Sequence, residues 1–333
     1  ATATAELGRS ELTSVTGYSI ARYRDALDYT QIVGSLTSAV FPTENTITTD
    51  DTRTNKFTQE LRLSTPLGEH FDWLLGAFYV HEKSPWTLEY IPVDGNGDRL
   101  GDFAVFDFSS GYAEWAAFTD LTYRVTERFD VQVGGRQSKI RQTYEATDSG
   151  IYVPIFEGTD SPRIVPESSI RQSAVTYLVT PRLKITPDIM LYGRLASGYR
   201  PGGINQGDLA GLPAEFEPDK TQNYEIGIKG EAFDRRFSFD ASVFYIEWKN
   251  IQLSLVNPNN GQNYFANGSK GKSQGIELAA QLVPLSGLQI ATWVAFSEAE
   301  LAQDLPPGST AFGASGDRLP FSSRFSGSGS IDY

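Results

Sequence analysis

The feature that most constrains this chain is a period of two. In the run 188–199, DIMLYGRLASGY, Ile189, Leu191, Gly193 and Leu195 take alternate positions, with Tyr192, Arg194 and Ala196 between them. In the run 223–230, NYEIGIKG, Tyr224, Ile226 and Ile228 alternate with Asn223, Glu225 and Lys229. Successive side chains of a β-strand point to opposite faces, so each run presents one apolar and one polar face.

The pattern recurs from end to end. About 13 such runs, each about 10 to 15 residues long, are joined alternately by short turns and long polar segments. The short turns fall at Leu7–Ser10, Pro66–Glu69, Thr126–Glu127, Thr186–Asp188, Phe233–Arg235 and Pro284–Gly287. The long segments are Asp25–Thr52, Ser84–Ser109, Glu145–Ser169, the stretch after Tyr199, a shorter loop around Asn257–Gln262 (NPNNG), and Leu301–Asp317. Strands of this length exceed those of ordinary soluble sheets and suffice to cross a bilayer at a tilt. Short turns at one end and long loops at the other mark an antiparallel meander whose two ends face different spaces. The expected fold is all-β: an antiparallel meander of about 13 long strands, forming part of a transmembrane β-barrel.

The two faces differ consistently. One carries Trp115, Ala117, Leu121 and Tyr123, then Val175, Tyr177 and Val179, then Phe237, Phe239, Ala241, Val243 and Tyr245, then Ile276, Leu278, Ala280 and Leu282. The other carries Glu60, Arg62, Glu114, Asp120, Arg136, Arg182, Arg194, Glu225, Lys229 and Asp240. Charges of both signs fit a wide, wet or plugged lumen, not a dry core, where each unpaired charge costs several kcal/mol. Aromatics at strand ends (Tyr18, Trp73, Tyr79, Tyr123, Tyr199, Phe233, Trp248, Tyr333) read as girdles at two membrane interfaces. A soluble β-rich lectin or hydrolase would instead turn polar residues outward.

Composition narrows the classes further. With no cysteine there is no disulfide framework and no thiolate metal site. A net charge of −13 argues against a nucleic-acid partner, which would call for a basic face. No run of about 18 apolar residues exists to make a membrane helix.

Several segments carry a family resemblance. SGYRPGGINQ (197–206), TQNYEIGIKGEAFDRRFSFDASVFYIEWKNIQ (221–252) and NGSKGKSQGIELAAQL (267–282) resemble the barrel domain of TonB-dependent outer-membrane receptors. FTQELRLST followed by FDWLLGAFYVHE, and LTSVTGY near the start, are similar in the same order. Glu225, Gly227 and Lys229 match one strand signature, and Gly275 with Glu277 another. The resemblance covers essentially the whole chain, 1–333, as a partial receptor barrel domain, and it implies that the meander is part of a 22-stranded transmembrane β-barrel. It implies active import of a scarce ligand, a ferric siderophore or similar iron complex, across the outer membrane of a Gram-negative bacterium. The implied partners are outer-membrane lipid, the small-molecule ligand, and a TonB-type energy-coupling protein that acts through an N-terminal region outside these residues. No cofactor and no catalytic residue are implied. The family's plug, coupling box and remaining strands are not among these residues, so the chain reads as an internal piece of a longer receptor. The ending FSGSGSIDY, with Phe325, Ile331 and Tyr333 on one face, also resembles the terminal signal of outer-membrane barrels. A complete, passive porin-like or adhesin-like barrel is the competing reading; an odd strand count opposes it.

Candidate sites are few. Arg200, Gly202, Gly203 and Asn205 leave a strand at the long-loop end, where glycines permit close approach and Arg and Asn offer donors; these are the candidate ligand-side residues. Asp94, Asn96 and Asp98 are spaced like the start of a calcium loop, and Asp102 is a possible fourth oxygen donor. Arg99 stands where such a loop needs glycine, and Val105 where it needs a bidentate Glu, so no metal site is expected. His70 and His81 sit too far apart along one strand to share a metal. Gly271-Lys272-Ser273 lacks the upstream glycine and following helix of a phosphate loop.

Overall fold

The structure, a computed structural model, describes residues 1–205, 211–258, 261 and 263–333. Gln206 of the SGYRPGGINQ segment, and Asn259, Asn260 and Gln262 of the NPNNG loop, lie outside the described residues.

The chain forms β1 (Thr2–Leu7), β2 (Ser10–Asp28), α1 (Thr30–Thr37), β3 (Thr46–Leu67), β4 (Phe71–Pro92), β5 (Ala104–Arg124), β6 (Phe129–Ser149), β7 (Arg163–Thr186) and β8 (Ile189–Arg200). It continues with β9 (Gly203–Ile204), β10 (Glu215–Phe216), β11 (Asp219–Ala232), β12 (Phe237–Lys249), β13 (Gln252–Val256), β14 (Asn263–Asn267), β15 (Lys270–Leu285), β16 (Leu288–Leu301) and β17 (Phe325–Asp332). Thirteen of these make one antiparallel sheet in the order β1–β8, β11, β12, β15, β16, β17. Two ribbons, β9–β10 and β13–β14, stand apart from it. The thirteen-strand meander expected from the period of two is therefore present. Six tight turns join its strands at one end and six longer connections at the other.

One expectation needs correcting. The strands are longer than the apolar alternation indicates: 19 to 24 residues in β2 through β7. Much of the three long segments read as loop (Asp25–Thr52, Ser84–Ser109 and Glu145–Ser169) continues the ladder. Thr46–Thr52 pairs with β4, and Val105–Ser109 pairs with both neighbours. The helix α1 fills part of the first connection; Asp28 accepts the Thr30 N–H at 2.9 Å ahead of its first turn.

Register places the side chains. On the apolar face, Phe71 stacks on Tyr123 at 4.6 Å near the tight turns, and Tyr79 packs on Trp115 at 4.1 Å farther along the same strands. Tyr123 lies eight positions beyond Trp115, about 27 Å of strand, or about 20 Å across a membrane at a tilt near 40°. Between the two bands the face is exposed and apolar, with Val133, Ile226, Val243, Ile276 and Leu278. Tyr199 and Trp248 do not join these bands: the Tyr199 hydroxyl reaches Glu114, and Trp248 lies beneath the Arg200 guanidinium, both on the polar face.

The polar face is cross-linked by ion pairs between neighbouring strands: Arg136–Glu114 at 2.7 Å, Arg182–Asp130 at 2.5 Å and Lys229–Asp240 at 2.7 Å. Gly227 shows why a strand glycine sits here. A Cβ added to it would lie 2.5 Å from the Tyr192 ring, which folds across the bare backbone and donates its hydroxyl to Glu225 at 2.7 Å. Dry packing is concentrated at the long-loop end, where Phe103, Ala104, Val153, Thr37, Thr46 and Asn257 are buried.

Candidate functional site

The long-loop end carries two structures that the chain builds differently. The first is a shelf on the polar face. Trp86 and Tyr90 of β4 stand beside Phe106 and Phe108 of β5, because even positions on both strands share one face. Trp86 packs on Phe108 at 4.5 Å, Tyr90 on Phe106 at 5.8 Å, and Phe108 on Tyr144 of β6 at 6.1 Å. Tyr152 and Phe156, from the π-helical turn Val153–Glu157 and its approach, close one side over buried Phe103. Burial pushes the Tyr144 phenol up to about 12.

Charge flanks the shelf. The Arg163 guanidinium pairs with Asp148, which is buried, and approaches Glu157 at 3.0 Å. Burial raises the pKa of the Glu157 carboxyl despite this cation. Toward the membrane band, Glu114 accepts from Arg136, Ser138 and Tyr112 at 2.7 to 2.8 Å. Arg136 in turn lies 4.9 Å from the Phe78 ring centre.

The second structure is a knot of loops over β8 and β11, and it contains the sequence-predicted residues. Arg200 ends β8 and donates to buried Asp219 at 3.0 and 2.5 Å. Gly202 sits where a Cβ would fall 2.0 Å from the Phe216 carbonyl oxygen and 2.5 Å from the Gln172 amide nitrogen. Its own carbonyl accepts from Gln142 at 2.6 Å. Gly203 pairs with Phe216 in the β9–β10 ribbon.

Asn205 is buried, and its amide is fully engaged. It donates to Pro213 O at 3.0 Å and to Phe265 O at 2.7 Å, and accepts the Phe265 N–H at 2.7 Å. Asn267 ties Glu217 to Asn250 in the same way, and Gln252 reaches Pro201 O and Glu217 O. Arg200, Gly202, Gly203 and Asn205 thus come together, with their polar groups turned to the protein itself.

The calcium-like spacing resolves into a turn. The Asp94 carboxylate accepts the backbone N–H of Asn96 at 2.8 Å and of Asp98 at 2.9 Å, and these bonds hold its pKa below the ordinary carboxylate value. Asp102 faces Arg99 instead. Among the described residues, no cluster of three or more His, Cys, Asp or Glu side chains is placed to hold a metal. His81 lies inside β4 and His70 just before it, with its ring at 3.2 Å from Arg124 O.

The shelf residues were not singled out from sequence, although a signal was present. Trp86, Leu88 and Tyr90, and Phe106 with Phe108, continue the period of two into segments whose intervening residues are polar.

Comparison with known proteins bears on both structures. A family model described as TonB dependent receptor-like, beta-barrel, matches residues 2–333. The pesticin receptor of Yersinia enterocolitica (serotype O:8 / biotype 1B) is 29% identical over 252 residues, covering 73% of this chain and 34% of that protein. Among solved structures, the ferric yersiniabactin uptake receptor FyuA from Yersinia pestis superposes with a TM-score of 0.74 at 22% identity, over 98% of this chain and 45% of that one. The siderophore receptor PiuA from Acinetobacter baumannii gives 0.72 at 15% identity, over 97% and 50%. The chain spans about a third of the length of the curated relatives it matches and about half of these structures.

Proposed function

The chain belongs to the TonB-dependent receptor β-barrel family, and from that premise we propose that it is part of the wall of an outer-membrane receptor that imports a ferric siderophore or similar iron complex. The tight turns lie on the periplasmic side, the long loops outside, and the polar face lines the lumen. The two aromatic bands mark the membrane interfaces. The work of this chain is capture and passage, not catalysis. Energy comes from a periplasmic coupling protein acting through a part of the receptor outside these residues.

One observation carries the reading of the site: the aromatic shelf, with Arg163 at its edge, stands on the lumen face, outside the membrane band, where an incoming ligand is first met. Flat aromatic faces offer stacking area at little entropic cost, and Arg163, held between Asp148 and Glu157, adds a guanidinium hydrogen-bond donor at the shelf's edge. Arg200, Gly202, Gly203 and Asn205 shape the rim beside the shelf, where Gln142 of β6, two positions from Tyr144, donates to the Gly202 carbonyl. The matched structures named for ferric yersiniabactin and for siderophores support the ligand class.

The test is uptake by the full receptor that contains this chain. Expected: iron-limited growth with a supplied ferric siderophore requires both the receptor and the coupling protein, and Trp86→Ala with Phe108→Ala weakens ligand binding. Uptake that persists without the coupling protein overturns active transport in favour of a passive pore.

A further inference from the structure

The apolar face changes character just beyond the outer aromatic band. There the register sets cations directly opposite one another: Arg22 faces Arg53, and Arg141 faces Arg171. Arg22 lies four positions beyond Tyr18, and Arg53 four beyond Phe57, on the same face as that aromatic pair. Arg171 lies four beyond Val175, and Arg141 two beyond Lys139, which pairs with Trp115 itself. Each pair gains a third cation. Lys83 is diagonal to Arg53 across β3 and β4, and Lys139 is next on its face to Arg141. All six side chains belong to exposed residues.

Like charges placed directly opposite on one face of a sheet destabilise it. The chain has carboxylates to spare, with a net charge of −13, yet it sets few against these trios. Arg24, the next cation along β2 on this face, is taken by Asp51 at 2.7 Å. Arg141 has Glu167 at 3.6 Å, with both side chains half exposed. Among the described residues, Arg22, Arg53, Lys83, Lys139 and Arg171 have no carboxylate within 4.0 Å. A third opposed pair shows the ordinary solution: Lys220 faces Lys249, and Glu247 neutralises Lys249 at 2.7 Å.

We propose that the trios Arg22–Arg53–Lys83 and Lys139–Arg141–Arg171 bind phosphate-bearing lipid headgroups of the outer leaflet. This inference rests on the membrane orientation given above. At barrel tilt, four residues of strand carry Arg22 and Arg53 about 10 Å beyond the Tyr18–Phe57 pair, and two residues carry Arg141 and Arg171 about 5 Å beyond Lys139 and Trp115, which reaches the headgroup zone in both places. The surface below them is the lipid-facing surface, so a headgroup on a trio keeps its acyl chains on Val133, Val175 and their neighbours. Two guanidiniums per trio suit a phosphate, which takes paired N–H donors from each.

The experiment uses the full receptor in nanodiscs of phosphatidylcholine with or without phosphatidic acid. Native mass spectrometry reads retained lipid, and thermal unfolding reads stabilisation. Expected: the wild type retains phosphatidic acid over phosphatidylcholine and unfolds at a higher temperature with it. Each cation removed costs about fivefold in retention at its trio, so Arg141→Gln with Arg171→Gln costs roughly 25-fold there and removes one retained lipid, while Arg22–Arg53–Lys83 keeps its own. Arg141→Lys with Arg171→Lys keeps most of the effect, and Lys220→Gln changes little. Equal retention of the two lipids by the wild type overturns the proposal, whatever the variants do. So does an equal stabilisation by inorganic phosphate, which would make the site one for the free anion. Failure of the wild type to enter the membrane fraction would instead strike the orientation on which the inference stands.

Discussion

The two halves of the sheet continue beyond the membrane band by different means. From β2 through β7, the strands themselves run on for 19 to 24 residues, and the backbone ladder carries the wall beyond the membrane. From β8 through β16, the sheet strands stop at 12 to 16 residues. What stands on them is the knot of β9–β10 and β13–β14, held by the amides of Asn205, Asn267 and Gln252. A ladder distributes its hydrogen bonds over many equivalent residues. A knot concentrates them in a few side chains that no neighbour can replace. The first half should therefore absorb substitutions that the second half cannot.

The largest contrast is between two glycines. At Gly202 a Cβ meets backbone, 2.0 Å from Phe216 O, so Gly202→Ala must move a chain segment. The expected cost is about 3 kcal/mol, read as lost hydrogen-exchange protection at Asn205 and Phe265. At Gly111 in β5 a Cβ meets the Thr143 hydroxyl at 2.5 Å, a side chain free to rotate. Gly111→Ala should then cost under about 1 kcal/mol. Equal costs at the two sites would break the comparison.

Asn205→Ala tests the knot without adding bulk. It leaves the Phe265 N–H and two carbonyls unpaired in a buried setting, worth about 2 to 3 kcal/mol. Exchange at the Phe265 amide should rise by roughly 30- to 100-fold, while amides in the centre of β4 stay protected.

On the ladder side, Trp86→Ala should lower ligand affinity by about tenfold through lost stacking and buried area, with the β4 ladder unchanged by the same exchange measurement. Loss of ladder protection in this variant would mean that the shelf supports the wall.

The pH response of the shelf is smaller and has a definite sign. An acid whose folded pKa is raised stabilises the fold below its unfolded value, and that stability is lost as pH climbs to the folded one. For Tyr144 the window runs from about 10 to about 12. Other buried tyrosines also titrate late, so Tyr144→Phe should remove one tyrosine's share of the phenolate absorbance that rises near pH 12, and in the wild type that rise should accompany loosening of the loop end of β6.

The smallest effect belongs to exposed ion pairs. Lys229 and Asp240 are 45% and 43% exposed, so Lys229→Met should change stability by less than about 1 kcal/mol.

The difference between the halves also explains what could be read from the sequence. Within the membrane band one face meets lipid and the other the lumen, so the period of two is forced on residues such as Ile226 and Glu225, and the thirteen strands are plain. Beyond the band both faces are wet, and TITTDDTRTN (46–55) keeps its ladder while losing its pattern. The strands therefore look shorter in sequence than they are. The knot is harder still to read. Asn205 meets Phe265 and Gln252 meets Pro201 across 60 and 51 positions, a pairing that no local rule announces. The rim segment was visible through its glycines. That its asparagine is a fastener follows only from the packed loops.

The order of the meander has one more consequence. Each inner strand of the large sheet pairs with the one before and the one after it in chain order, and β1 and β17 at the two ends pair with one strand each. Each hairpin closes on sequence neighbours, so the entropy of loop closure is met in small instalments and not in one long-range step. Such a wall can grow by accretion, each hairpin templating the next on its open edge. Its evolution can follow the same route: a hairpin duplicated or deleted changes the circumference and leaves the remaining registers intact.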